Sequence, residues 1–393
     1  MAAWVWPFWI GYLAALVVLG GFAVHRVSLT LIAWAAARRS RAATRSAPGA
    51  EPHPLWRPHI TVQLPLYNEG AVAQRVIATA CALEWPRERL HVQVLDDSTD
   101  ASRAMVDAEA SRWRAAGVNI DVVRRPQRHG YKAGALAHGL SVSHGELIAI
   151  FDADFVPPAD MLVRAVRQFA DAEVGMVQWR WSHLNRDVGL LQQCQAMLLD
   201  GHFAVEQRAR AARGWAINFN GTAGLWRRAA IDDAGGWSAD TLTEDLDLSY
   251  RAALAGWAFR YVDADRVPAE LPPTMRAFRS QQFRWAKGSV EVAHKLWRPL
   301  RASGWPSRKR FEALMHVSHN LPYAATALLV ATSPVALALA PLPTWCLPMH
   351  GLALVATAVV LAGFVLVAAH GQRARTLMRV PAMAALTAGI SFG

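Results

Sequence analysis

The chain has 393 residues, of which 53% are hydrophobic, and a formal net charge of +11. This length allows one large domain together with membrane segments. The basic residues form no known nucleic-acid-binding module with interleaved aromatic side chains, so no nucleic-acid partner is expected and the charge is assigned to cytoplasmic loops and anionic lipid. Cys81, Cys194 and Cys346 lie far apart without CxxC spacing, so the sequence indicates neither a disulfide framework nor a zinc site.

The N-terminal segment Met1–Val24 contains no charged residue. Its length fits the roughly 20 apolar residues that a membrane span requires. A cleaved signal peptide is the alternative, but such peptides begin with a basic region and have a shorter apolar core. We therefore predict a transmembrane anchor over residues 1–37. The basic linker at 38–58 then predicts a cytosolic central domain, because positive residues flank the cytoplasmic side of a span.

The central region alternates short apolar strands with helices. This pattern predicts an α/β fold with a parallel sheet, in which ligands bind beyond the carboxyl ends of the strands. Three predicted strands end at candidate site residues, namely at Pro65, at Asp96-Asp97 and at Asp152. The predicted strands are 59–65, 92–95, 118–123 and 147–151, and the predicted helices are 71–83 and 101–116.

The first acidic motif is Asp96-Asp97-Ser98-Thr99-Asp100. Asp and Ser also form helix N-caps, which is the structural alternative. At a strand end opposite Pro65, Tyr67 and Glu69, the two leading carboxylates are instead predicted to accept hydrogen bonds from a nucleotide.

The second acidic motif is Asp152-Ala153-Asp154, directly after an apolar strand. In an extended segment the two carboxylates point the same way and could reach one cation. Mg²⁺ favours one or two carboxylates together with substrate phosphates. Upstream, Lys132 lies in a basic, glycine-containing loop and could offset diphosphate charge, the alternative being an ordinary loop.

The third acidic motif, Thr243-Glu244-Asp245, opens a helix predicted to reach Ala255. A capping box, or an acid that stabilises the first turn of the helix, is the structural alternative. The functional interpretation assigns a general base to this motif, Asp245 in preference to Glu244. Upstream, Gly221 and Thr222 lie in a small polar turn that could let an acceptor sugar approach closely.

A fourth motif, Gln281-Gln282-Phe283-Arg284-Trp285, is predicted to be helical. Gln281 and Arg284 would share one face. Arg can bind phosphate with two hydrogen bonds, and Trp285 can offer a flat face to a sugar ring. An interfacial helix with a Trp anchor is the alternative, and interfacial amphipathic helices are predicted over 289–316.

Two late apolar runs, Val317–Ala340 and Trp345–Ala369, predict membrane spans joined by the loop Pro341–Thr344 without Lys or Arg. A last run from Val380 to Gly393 is too short to cross a bilayer, so the natural sequence is expected to continue through it, a re-entrant helix being the alternative. Residues 317–393 are thus predicted to be C-terminal transmembrane helices.

These motifs together resemble the family-2 glycosyltransferases with an embedded membrane channel, and in particular the cellulose-synthase-like mannan and glucan synthases. The resemblance covers about Ile60 to Gly288. It is carried by Gln93–Asp100, Gly130–Leu136, Phe151–Phe155, Phe219–Gly224 and Gln281–Trp285.

The resemblance implies a Rossmann-like GT-A domain over 59–288, Mg²⁺ or Mn²⁺, and inverting transfer from GDP-mannose or UDP-glucose to a β-linked polysaccharide. It implies that Asp97 contacts the nucleotide, that Asp245 is the base and that Trp285 stacks on the acceptor. The implied metal ligands are Asp152 and Asp154. The predicted donor site comprises Pro65, Tyr67, Glu69, Asp96, Asp97, Lys132, Asp152, Gln281 and Arg284, and the acceptor site adds Gly221 and Thr222.

Other functions remain open at this point. Transfer of a single sugar to a lipid acceptor would use the same motifs, whereas an inactive scaffold subunit should have lost one of them. A transporter would need charged groups inside its spans. The expected location is the cell (inner) membrane, multi-pass, with a cytoplasmic catalytic domain in contact with membrane lipid; the oligomeric state is left open.

Overall fold

The computed structural model describes residues 6–44, 56–339 and 373–390, together with isolated helical positions between 348 and 363. The predicted loop 341–344, most of the predicted span 345–369 and the first five residues of the anchor lie outside the described residues. Most of the predicted linker and the last three residues of the chain are also outside them.

The described elements form a central sheet with helices on both faces. In chain order the strands are β1 (Ile60–Leu66), β2 (Leu90–Asp96), β3 (Ile120–Val123), β4 (Leu147–Ile150), β5 (Val174–His183), β6 (Gly224–Arg227) and β7 (Ala258–Ala269). The helices are α1 (Trp6–Thr44), α2 (Ala71–Cys81), α3 (Ser102–Ala115), α4 (Tyr131–Ser141), α5 (Met161–Gln168), α6 (Leu190–Gly201), α7 (Arg208–Ala212), α8 (Arg228–Asp233), α9 (Glu244–Leu254), α10 (Met275–Ala302), α11 (Ser307–Val317), α12 (Leu321–Leu339) and α13 (Arg373–Ile390). A 3₁₀ turn (Arg87–Arg89) precedes β2, and a π-helical turn (His202–Gln207) joins α6 to α7.

The strand order is β3-β2-β1-β4-β6-β5-β7. The four predicted strands are present and pair in parallel, which confirms the α/β interpretation. The expectation of a wholly parallel sheet was wrong, because β6 runs antiparallel to both β4 and β5. No strand was predicted after Phe151, so the antiparallel direction of β6 was not anticipated.

The register of the sheet places the predicted site residues at one edge. β1 and β2 pair from Ile60↔Leu90 to Leu66↔Asp96, so both strands end side by side. On one face of β1, Ile60, Val62 and Leu64 are buried in the main apolar core. These parallel strands therefore deliver their following loops to a single crevice, as expected for this class of sheet.

Helix α10 is fixed against the start of α9. It runs without a break through residue 288, where the sequence had suggested the end of the catalytic domain. Gly288 lies so close to Thr243 that an added Cβ would be 2.6–2.7 Å from its atoms. Glu291 accepts from the Leu242 amide at 2.8 Å, and Lys295 bonds Asp247 at 2.9 Å. The helix that carries Gln281–Trp285 is thus held beside the third acidic motif.

Among the described residues, the one helix that is long and apolar enough to cross a membrane covers Trp6–Arg39 within α1. α12 lies inside the first predicted late span and packs along α1, where Gly11 faces Thr332. α13 begins at Arg373, before the predicted start at Val380. The number of membrane spans therefore stays a prediction.

Replacing Gly288 with Ala should weaken the docking of α10, because the new methyl group meets the Thr243 backbone nitrogen at 2.7 Å. We expect Gly288→Ala to lower the free energy of unfolding by about 1–3 kcal/mol, as overpacking does. Chemical denaturation in detergent measures this change. Gly304→Ala, just beyond the same helix and with nothing within 4 Å, is the matched control. An equal stability of the two variants would contradict the close approach.

Candidate active site

The loops after β1 and β2 are hydrogen-bonded to each other. The backbone amide of Asp97 donates to the Leu66 carbonyl at 3.0 Å, and the backbone amide of Asn68 donates to Oγ of Ser98 at 2.9 Å. Asn68 has a φ of 58°, a left-handed conformation that Asn adopts more readily than most residues. Both loops therefore form one wall of the crevice, on which Pro65 is half-buried and Tyr67 and Glu69 are exposed.

The paired carboxylates of the first motif have different environments. The Asp96 side chain has no exposed surface; it accepts from the Ser98 amide at 3.0 Å and from Arg124 at 2.9 Å. Asp97 forms a two-point ion pair with Arg125 at the crevice. Asp96 thus supports the turn from behind and does not cap a helix, because the N-cap of α3 is Ala101 without a side-chain bond. Of the two carboxylates, Asp97 is the one that remains a candidate for contact with a nucleotide.

Two arginines after β3 complete this wall and were not included in the predicted site. Arg125 donates to Asp97 and to the carbonyls of His129 and Tyr131. The guanidinium carbon of Arg128 lies 3.3 Å from the ring centroid of Tyr67. The sequence offered one indication of these arginines. They follow a predicted strand end, and the neighbouring strand ends at a carboxylate.

Lys132 lies at the centre of the crevice, near the N-terminus of α4. Its Nζ donates to Oδ1 of Asp152 at 2.5 Å and to the Gly221 carbonyl at 3.0 Å. Burial acts against the Lys132 cation, but the nearby carboxylates of Asp152 and Glu244 outweigh it and the pKa of Lys132 is raised. Lys132 therefore joins the predicted donor side to the predicted acceptor side.

Thr222 holds Asp152 in place. Its Oγ1 accepts from the Asp152 amide at 2.9 Å, and the residue is 1% exposed. The structure therefore places Thr222 behind the site, whereas the neighbouring Gly221, also buried, accepts from Lys132 through its carbonyl.

Asp154 lies in a turn, and Asp152 comes just before it. The extended segment predicted for the two residues is therefore not formed. Burial and the Asp152 charge raise the pKa of Asp154 to about 7. The pKa of Glu69 is also raised, first because its carboxyl group is partly buried, although the residue as a whole is exposed, and then because of the charge of Asp152. Within the described residues no group of three His, Cys, Asp or Glu side chains has a metal-binding arrangement. A cation held by this pair alone would need further ligands, such as diphosphate oxygens and water.

The third motif faces the same point from α9. An added Cβ at Gly221 would lie 3.1 Å from Oδ2 of Asp245 and 3.3 Å from Nζ of Lys132. Gly221 has a φ of 79°, which favours glycine, and its backbone is next to both charges. Thr243 makes no side-chain capping bond to α9, so the capping-box alternative is not formed.

Burial, followed by the charge of Glu244, raises the pKa of Asp245 to about 7, although Lys132 acts in the opposite direction. The pKa of Glu244 is raised as well, chiefly by burial. A carboxyl group with a pKa near neutrality suits proton transfer, because a catalytic base works best when its pKa is close to the operating pH.

The fourth motif lies on the first half of α10, with Arg284 exposed and Gln281 and Trp285 half-buried. Arg284 donates to Oγ of Ser280 at 3.1 Å. In the described part of the chain no hydrogen bond or ion pair joins these three side chains to Asp152 or Asp245. The close packing of Gly288 on Thr243 nevertheless places this helix beside the crevice.

Comparison with known proteins identifies the family. A family model described as "Glycosyltransferase like family 2" matches residues 58–288. Glucomannan 4-beta-mannosyltransferase 2 of Arabidopsis thaliana is 47% identical over 244 residues, which are 61% of this chain and 46% of that protein. Glucomannan 4-beta-mannosyltransferase 1 of Oryza sativa subsp. japonica is 45% identical over 61% of this chain and 47% of its own.

Among solved structures, the mannosyltransferase PcManGT from Pyrobaculum calidifontis, in complex with GDP-Man and Mn²⁺, has a TM-score of 0.58. It is 23% identical, and the match covers 95% of this chain and 99% of that one, which shows a shared fold. The present chain spans about half the length of the curated relatives that it matches. Since the family model covers more than half of the chain, the chain belongs to the family-2-like glycosyltransferases.

Proposed function

We propose that the protein is an inverting glycosyltransferase that moves mannose from GDP-mannose to a growing β-1,4-linked mannan or glucomannan. One observation carries this proposal: Lys132 and Asp245 meet at the backbone of Gly221, with Asp152 bonded to the same lysine. A cation for the leaving group and a base for the incoming hydroxyl are thus adjacent. The relatives named as glucomannan 4-beta-mannosyltransferases support mannose as the sugar and a polysaccharide as the acceptor.

The donor side of the crevice is assigned to the nucleotide diphosphate. Asp97 would accept hydrogen bonds from the nucleotide, while Tyr67 and Arg128 line the same wall. Lys132 can turn from Asp152 toward a phosphate oxygen, and Arg284 can bind the diphosphate from α10. Such preorganised cations stabilise the charge that develops on the leaving group.

The acceptor side is assigned to Asp245 and Gly221. Asp245 would take the proton from the acceptor hydroxyl as that oxygen attacks the anomeric carbon from the face opposite the diphosphate. The absence of a side chain at Gly221 lets its backbone approach Asp245 and Lys132 closely, since an added Cβ would lie 3.1 Å from Oδ2 of Asp245. A single displacement of this kind inverts the anomeric centre and gives a β-linked product.

Asp152 and Asp154 would hold a divalent cation, and Mg²⁺ or Mn²⁺ fits their oxygen donors. The Mn²⁺ in the Pyrobaculum structure supports this assignment. When bound, the cation would neutralise diphosphate charge.

A membrane location is proposed on the basis of α1. Only 22% of its most apolar 18-residue window is buried, unlike the core helix of a soluble protein. His25 and Arg26 lie near the middle of this helix, and its second half packs through Leu29 and Ala33 on Val205 of the π-helical turn and Ala209 of α7. We propose that the catalytic domain faces the cytosol, where nucleotide sugars are made, and that further spans follow in the C-terminal region.

The donor and acceptor can be tested with membranes that contain the protein. We expect Mn²⁺ or Mg²⁺ and labelled GDP-mannose to yield a polymer that a β-1,4-mannanase digests. If UDP-glucose yields a polymer that a cellulase digests, the donor is UDP-glucose and the assignment of GDP-mannose is wrong. A lipid-soluble product with a single sugar would support the alternative of a glycolipid acceptor and overturn polymer synthesis.

Replacing Asp245 with Asn should remove the base and leave donor binding intact. We expect Asp245→Asn to lower kcat by about 100- to 10,000-fold, the usual contribution of general-base catalysis. Because a carboxyl group accepts a proton only when it is ionised, wild-type transfer should rise as the pH increases toward about 7, the raised pKa of Asp245. Initial rates across pH, with binding of GDP as a control, measure both effects.

Glu244→Gln is the matched comparison, since it changes the neighbouring carboxylate in the same pair. A larger loss in Glu244→Gln than in Asp245→Asn would move the base to Glu244. Wild-type rates in Asp245→Asn would remove a base from this motif altogether.

Removing the divalent cation with a chelator should abolish transfer, and Asp154→Asn should raise the metal concentration needed for half-maximal activity by at least about tenfold. The reason is that one of two carboxylate ligands is lost. Asp160→Asn is the control, because Asp160 pairs with Arg164 outside the crevice. An unchanged metal requirement in Asp154→Asn would show that this residue does not hold the cation.

A further inference from the structure

Side chains with no assigned part in the reaction hold the back of the Gly221 loop. The backbone amide of Asn220 donates to Oε1 of Gln178 at 2.8 Å. Oδ1 of Asn220 accepts from Nε2 of Gln207 at 2.8 Å, and its Nδ2 lies 3.0 Å from Nε2 of His202. Asn220 is therefore fixed at three atoms, and Gly221 follows it directly in the chain.

The directions of these hydrogen bonds determine the tautomer of His202. Nε2 of Gln207 also donates to a backbone carbonyl, so it is a donor to Oδ1 of Asn220. Nδ2 of the Asn220 side chain then donates to Nε2 of His202, which leaves the imidazole proton on Nδ1. Nδ1 faces Oε2 of Glu206 at 3.3 Å. Burial opposes ionisation of Glu206, but His202 and Arg210 hold its pKa well below the ordinary value, so this acceptor stays charged.

The π-helical turn explains why these groups converge. In a π-helix the hydrogen-bonded residue lies five positions along the chain, so His202 and Gln207 are one turn apart and both reach Asn220. An uninterrupted α-helix would place residues five apart on different faces. Single π-turns are often found at functional sites.

Beyond Glu206 the network reaches two helices outside the sheet domain. Glu206 lies 3.7 Å from Arg26 of α1 and 3.7 Å from Arg210. Arg210 bonds Glu312 of α11 at 2.8 Å, and Glu312 bonds His25 of α1 at 2.6 Å. The side chains of Arg210 and Glu312 are only 2% and 5% exposed. Buried ion pairs of this kind fix geometry, because removing one partner leaves an uncompensated charge.

We propose that His202 is a positioning residue for the acceptor: through Asn220 it holds Gly221 against Asp245, and through Glu206 it ties that loop to α1 and α11. This inference rests on the proposed function, since it assigns the Gly221 loop to the acceptor side. His202 itself touches neither the reacting atoms nor the donor site. Its loss should therefore affect the use of the acceptor and leave the binding of the donor unchanged.

Two substitutions of His202 separate its two hydrogen bonds. The Asn side chain ends where Nδ1 lies and retains a partner for Glu206 but none for Asn220. The longer Gln side chain reaches the position of Nε2 and retains a partner for Asn220 but none for Glu206. The readouts are kcat, the KM for a short manno-oligosaccharide acceptor, the KM for GDP-mannose, and the melting temperature. His144→Asn, at an exposed position, is the control.

We expect His202→Asn to lower kcat/KM for the acceptor by about tenfold or more, since small displacements of a positioned group reduce rates steeply. The KM for GDP-mannose should stay within about twofold of the wild-type value, a change of less than 0.5 kcal/mol. His202→Gln should restore most of the acceptor kcat/KM. Equal loss in both variants, no loss in His202→Asn, or a parallel loss of donor affinity would overturn the proposal.

Should His202→Asn fail to fold, Asn220→Ala removes the side-chain bonds of Asn220 to both His202 and Gln207, and the same loss of acceptor kcat/KM with an unchanged KM for GDP-mannose is expected. An unchanged acceptor kcat/KM in Asn220→Ala would overturn the proposal. The wild-type protein distinguishes this inference from the proposed function. If it transfers no mannose, the proposed function fails; if it transfers mannose and the variants show no acceptor-specific loss, the role of His202 fails alone.

Discussion

The ion pair between Lys132 and Asp152 is the interaction on which the crevice depends. Lys132 is the ammonium group at the point where carboxylates from the ends of β4 and the start of α9 come together. Burial of these acids raises the pKa values of Asp154 and Asp245 toward neutrality. A nucleotide diphosphate adds further negative charge, so its binding calls for additional cations. The proposed divalent cation and the proposed contact with Arg284 would supply this positive charge.

Much of the site was predictable because its residues follow strands whose apolar pattern is clear. Asp97, Asp152 and Asp154 were placed at one edge of the sheet by the rule for parallel strands, and they lie there. The roles of Asp96 and Thr222 could not be read from sequence, because burial and hydrogen-bond partners decide which polar side chain faces the ligand. The Arg125–Asp97 pair and the contact of Gly288 with Thr243 join segments distant in the chain, and no local pattern indicates them.

The reversal of β6 and the π-helical turn have a shared consequence. Gly224 begins β6 just after the Asn220–Gly221 turn, so the sheet fixes one end of this turn. The π-helical turn fixes its middle through Gln207 and His202. Both features depend on tertiary packing, which explains why helix and strand propensities did not reveal them. Through Glu206 and Glu312 the same loop is linked to α1, the helix with the properties of a membrane span.

The central claim is that Asp245 acts as a base on the face opposite the diphosphate, in a single displacement. The most direct test is the anomeric configuration of the first sugar transferred from GDP-α-mannose to a short β-1,4-linked manno-oligosaccharide, determined by NMR. The account predicts a β-linked product. An α-linked product would contradict it, because retention cannot arise from one displacement assisted by one base.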